Sequence, residues 1–179
     1  MQLPDELLDL EANCGIYAIW MIFHHYGVDL HIPDLVKLCK HNDQDGTFGI
    51  SLAVALQKLG LDVTFYSDED LVQHSTEVEF YQEAQVLGIS VQQPSCSYQD
   101  IQYAVENGNF VIVYYDTLEG VGNHSLVYSI DDVEISFFDS FEPMPKTVFE
   151  QQRQVEGICR QVIIVDDRKF CMRDLFNTM

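Results

Sequence analysis

Apolar residues crowd together in the first part of the chain and alternate with polar ones in the last third. From Ile16 to Phe23 every position is apolar, and the stretch runs on through His24, His25 and Tyr26 to Gly27. This predicts a helix over Cys14–Tyr26, with Asn13 at the N-cap and Gly27 as the stop. Its apolar residues cover nearly the whole circumference, so it should be buried on most sides. A second helix should start at Ile32-Pro33-Asp34, with proline in the first turn, and end near His41. Asn42 to Gly46 has turn chemistry. A third helix is expected from about Ile50 to Leu59, closed by Gly60. Leu61 to Tyr66 reads as a short strand, and residues 68 to 87 as an acidic, weakly patterned helix. Ser97 and Asp100 form a capping box for a helix ending at Asn107-Gly108.

Strands dominate afterwards. Phe110–Tyr115, His124–Ile130, Val133–Asp139 and Gln161–Val165 all carry the alternation or the β-branched run of strands. Helices first and antiparallel strands after describe an α+β fold, not alternating βαβ units. The 179 residues, 47% of them hydrophobic, suit one domain with a substantial core. A helical lobe over about 1–108 and a sheet lobe over about 109–179 are expected within it.

Charge narrows the partners. Nine Lys and Arg face twenty-nine Asp and Glu, a formal charge of -20. Such a surface repels nucleic acid and anionic membranes, and either favours basic or neutral partners or simply keeps the protein soluble. The acidic N-terminus lacks the basic region of a secretory signal, and the longest apolar run is too short to span a bilayer. Five cysteines at 14, 39, 96, 159 and 171 have no framework spacing. That points to reduced thiols and a cytoplasmic setting, with export by a signal-less route left open.

The candidate chemistry starts at Cys14. A helix N-terminus presents unpaired amides and the positive end of the dipole, which lower a thiol's pKa. In the C-terminal part, a turn at Asp131-Asp132 would pair Ile130 with Val133. The same register sets His124 directly opposite Asp139, at Cβ distances of roughly 4.5–5.5 Å. Such a pair is either an ordinary cross-strand contact or a base with its orienting carboxylate. A histidine beside Cys14 would lower the thiol's pKa further.

His24, His25, His31, Cys39 and His41 cluster in sequence, but their spacing fits no common zinc pattern. No metal site is expected. Cys39 reads as core; Cys96, Cys159 and Cys171 read as packing or surface thiols. Gly120 and Gly122, before His124, should give a loop room beside a cleft.

Asn13-Cys14-Gly15, the apolar helix and Tyr26-Gly27 together resemble the papain-like cysteine peptidases of the bacteriocin-processing, double-glycine leader type and their stand-alone relatives. Asp45-Gly46-Thr47 with Gly49-Ile50-Ser51-Leu52, and Gly122-Asn123-His124 with Phe138-Asp139, resemble two further segments of that family. The resemblance implies a papain-like fold, with the cysteine helix packed on a C-terminal antiparallel sheet. It implies Cys14 as nucleophile, His124 as base and acid, and Asp139 as orienter, with no cofactor. It implies a thiol hydrolase or acyl transferase acting on an amide bond of a protein or peptide, of protease or glutamine deamidase type. The -20 charge adds that a basic segment on the target would be drawn to it. The family's oxyanion glutamine falls here at Leu8, beside Asp9, and the residue after the aspartate is Ser140 instead of proline. Leucine cannot donate a hydrogen bond. A papain-like peptide-binding module without catalysis is the alternative.

Overall fold

The computed structural model describes residues 3–140 and 142–170. The Cys14 helix forms as expected. It is α2 (Cys14–His25), and Ile16, Ile19, Trp20, Ile22 and Phe23 are all buried. Gly27 ends it with φ +70. A four-residue turn, α1 (Asp5–Leu8), precedes it. The second helix, α3 (Ile32–Leu38), stops short of His41 because Lys40 takes a left-handed φ of +47. α4 (Gly49–Lys58) buries most of its residues and packs beside α2.

Residues 68–74 are not helical. α5 runs only over Ser75–Leu87. The His74 imidazole caps it by accepting the Thr76 N–H, and Glu77 accepts the His74 N–H in return. α6 (Tyr98–Glu106) has the expected Ser97–Asp100 capping box. The last described helix, α7 (Lys146–Arg153), was not expected. Only Phe149 and Arg153 of it are buried, too few to leave an apolar stripe in the sequence.

One mixed seven-stranded sheet organises the described residues. Its strands are β1 (Asp62–Tyr66), β2 (Ser90–Gln92), β3 (Phe110–Asp116), β4 (Gly122–Ile130), β5 (Glu134–Phe137), β6 (Met144–Pro145) and β7 (Val162–Asp166). Their spatial order is β2-β1-β7-β3-β4-β5-β6. β1 and β2, from the part expected to be a helical lobe, join the sheet, and they pair in parallel. The sheet is therefore neither wholly C-terminal nor wholly antiparallel. β7 lies between β1 and β3, and its Val162, Ile163 and Val165 are buried, as a central strand covered on both faces requires. One core joins α2, α3, α4 and α5 to a face of the sheet that includes Ile112, Leu126 and Ile163. The other joins α6 and α7 to Val111, Val113, Val127 and Phe137.

The β4–β5 register differs from expectation. Asp131 Oδ1 accepts the N–H groups of Val133 and Glu134, so the turn is longer than two residues and Ile130 pairs with Ile135. An irregularity between Val127 and Ser129 then shifts the pairing, and Val127 opposes Phe137. The net slip is one residue. Because side chains alternate, a one-residue slip moves each one to the other face. Asp139 therefore comes opposite Ser125 instead of His124.

Candidate active site

Cys14 sits where α2 begins. Before it, Ala12 takes a φ of +48, turning the chain sharply into the helix. Asn13 occupies the N-cap position but its side chain makes no capping bond; its Nδ2 donates to the Leu7 carbonyl at 2.7 Å and ties α1 to α2. The Cys14 sulfur accepts the His124 backbone N–H at 3.4 Å, which brings the helix start against β4.

That sulfur is not poised as a thiolate. Burial pushes the Cys14 thiol pKa up, and the nearby Asp139 charge adds to the rise. The N–H groups of His124, Gly15 and Cys14 itself pull in the other direction without outweighing burial. The expected lowering is thus reversed in the resting protein, because the half-buried sulfur loses more hydration than the helix start returns.

His124 lies on the α2 side of β4, the same side as Leu126. Its ring stacks on Tyr114 of β3, with centroids 4.2 Å apart and planes 22° off parallel. The stack needs Gly122: a Cβ there would overlap the Tyr114 hydroxyl and lie 2.6 Å from its Cζ. The expected role of that glycine, making room beside a cleft, is here a specific close approach. Burial alone pushes the His124 pKa down to about 3, so the ring is neutral at physiological pH. Its Nε2 is buried and has no hydrogen-bond partner among the described residues.

Asp139 does not bond to that ring. Its carboxylate accepts from Ser125 Oγ at 2.8 Å and from Asn123 Nδ2 at 3.3 Å. Asn123 also donates to Ser125 Oγ and Tyr115 Oη. Ser125 and Val127 face the α6–α7 side, opposite His124. The structure therefore brings Cys14 and His124 together and sets Asp139 on the residues flanking His124.

Two residues without a local motif complete the surroundings. His41, weighed above only as a metal ligand, is a clamp: Nδ1 lies 2.7 Å from Thr47 Oγ1 and Nε2 3.0 Å from the Glu11 carbonyl. It joins the loop before α2 to the loop before α4. Gln161, just before β7, is buried, and its Oε1 has no hydrogen-bond partner among the described residues. Leu8 is 59% exposed, as a side chain with no donor role would be. Gln2, the glutamine nearest the N-terminus, lies outside the described residues, as does Cys171.

The remaining histidines are occupied separately. His24 stacks on Trp20, His25 meets Phe110 edge-on, and His31 pairs with Asp34. Among the described residues no three His, Cys, Asp or Glu side chains converge on a metal position. None of the described helices is long and apolar enough to cross a membrane.

Two cavities share Asp45, Thr47, Tyr114 and His124 as walls. The smaller, about 230 Å³, opens onto Cys14 between Ala12, Gly46 and Gly122. The larger, about 460 Å³, extends past Gln161 and carries the carboxylates of Glu69, Asp70, Glu77 and Glu156.

Residues 9–78 match the Peptidase C39 family. The matched stretch includes Cys14 and ends before His124. Among solved structures, the chain resembles the peptidase domain of Streptococcus ComA, a bi-functional ABC transporter involved in a quorum sensing pathway. The TM-score is 0.52 at 17% identity, over 85% of this chain and 89% of that one. No curated protein matches the chain. The papain-like fold expected from sequence is borne out, and so is the resemblance to bacteriocin-processing peptidases in the segment that carries Cys14. The resemblance is to a family of peptidases, over the part of the chain that carries Cys14.

Proposed function

We propose that the chain is a cysteine-dependent hydrolase or acyl transferase that attacks an amide bond of a peptide or protein, with Cys14 as nucleophile and His124 as base. The observation that carries this reading is the contact of the Cys14 sulfur with the His124 backbone N–H, in a cleft that both residues line. Both groups rest uncharged, so the proton moves as the bond forms. His124 takes the thiol proton while the sulfur attacks the carbonyl carbon. The same proton then passes to the leaving amine as the C–N bond breaks, leaving a thioester. Water, or an amine in the transferase case, releases the acyl group and restores the thiol. The backbone N–H of Cys14 supplies an oxyanion donor at the helix start. Asp139 orients His124 indirectly, by holding Asn123 and Ser125 on either side of it. The acid-lined larger cavity favours a substrate with a basic segment.

A catalytically lapsed peptide-binding module is the second reading, favoured by the exposed Leu8 at the oxyanion position and by the raised Cys14 pKa. Iodoacetamide separates the two. Burial pushes Cys39 and Cys96 up to about 12 and Cys159 up to about 11. A catalytic Cys14 alkylates faster than all three, and His124→Ala slows it at least about a hundredfold, the low side of general-base assistance. Alkylation of Cys14 no faster than that of Cys39, or unchanged in His124→Ala, sinks the catalytic reading.

A further inference from the structure

Two buried polar atoms beside the cleft, His124 Nε2 and Gln161 Oε1, have no hydrogen-bond partner among the described residues. They border one space. A Cβ on Gly49, the first residue of α4, would overlap Gln161 Oε1 and lie 3.3 Å from His124 Nε2. Glycine at that position leaves both atoms bordering the same space at the start of α4. Gln161 is anchored from behind: its carbonyl accepts the Tyr114 N–H at 3.0 Å, and Tyr114 is the residue whose ring stacks on His124. Only 6% of Gln161 is exposed, so its amide has little freedom to turn to water.

A neutral imidazole carries one N–H and one bare nitrogen. With the ring proton on Nε2, one hydrogen bond from Nε2–H to Oε1 satisfies both buried groups. The carboxylate expected to serve this ring, Asp139, is engaged with Ser125 on the other face. We infer that Gln161 is the positioning residue of His124. Its Oε1 accepts Nε2–H, fixes the tautomer, and leaves Nδ1 bare to take the Cys14 proton. An uncharged amide suits a ring that burial keeps neutral; a carboxylate at this place would hold a proton on it. The inference rests on His124 being the base.

Nitrogen-15 NMR of the histidine rings in the full chain reads the tautomer directly. The wild-type protein should show His124 protonated on Nε2 at neutral pH. Gln161→Met, which keeps the shape and removes the acceptor, should abolish that single tautomer and slow Cys14 alkylation at least about tenfold. Gln161→Glu should keep the Nε2–H tautomer and move the His124 titration upward by more than about one pH unit. A wild-type ring protonated on Nδ1 overturns the inference, as does a Gln161→Met variant unchanged in tautomer and rate. If His124→Ala leaves Cys14 alkylation unchanged, the functional reading falls and this inference with it. If His124→Ala slows alkylation but Gln161→Met does not, only the role of Gln161 is lost.

Discussion

Asp139 accepts a hydrogen bond from Ser125 at 2.8 Å, on the face of β4 that His124 turns away from. The charge nevertheless reaches the nucleophile, because Asp139 raises the Cys14 pKa through space.

Asp139→Asn keeps an acceptor for Ser125 and removes the charge. The pH midpoint of Cys14 alkylation should therefore move down, and the rate at neutral pH should change less than about tenfold. A direct imidazole–carboxylate partner behaves otherwise, losing on the order of 10⁴ in rate when made an amide. Measured alkylation profiles of the two proteins decide between these. Asp139→Ala also removes the acceptor, and urea melts should show a loss of about 1–3 kcal/mol.

Acid should destabilise the fold through His124. Its folded pKa of about 3 lies below its ordinary 6.5, so the unfolded chain binds the proton first. This contribution to stability is complete above pH 6.5 and is lost as pH falls from there towards 3. Urea midpoints should fall between pH 7 and pH 5. The fall should be shallower in His124→Gln, which has no group to titrate.

Gly122→Ala should disturb the site through Tyr114. The added methyl overlaps the Tyr114 hydroxyl, and Tyr114 can yield only by leaving its stack on His124. Overpacking of this kind costs about 1–3 kcal/mol. Thermal melts should show the loss, and Cys14 alkylation should slow with it. A variant as stable and as reactive as the parent would mean that Tyr114 does not hold the ring.

His41→Phe should loosen the two loops that flank the smaller cavity. The substitution fills the ring's space but gives up both its contacts, to Thr47 and to the Glu11 carbonyl. Two modest hydrogen bonds lost in a buried place amount to about 1–3 kcal/mol. Thermal melting should fall by roughly 2–4 °C per kcal/mol for a chain of this size. Zinc added to the parent protein should leave its melting temperature unchanged, since His41 is committed to the clamp.

The sequence by itself determined the helix that carries Cys14, the Ser97 capping box, and β3, β4 and β7, because each is written in a local period or cap. It also marked Cys14 and His124. Their neighbourhood is real, but it takes the form of a backbone N–H on the sulfur, which no spacing encodes. Local chemistry failed where a strand's partner was at issue. Turn length and an irregularity near Tyr128 together slip β5 by one residue, and that slip sends Asp139 to the far face. The parallel β1–β2 pair, the clamp at His41 and the space that Gln161 and His124 both border join residues distant in sequence. Only the tertiary structure decided them. So too with the charge state of the site: the helix start favours a thiolate, but burial of Cys14 and His124 is a property of the folded whole, and it leaves both uncharged at rest.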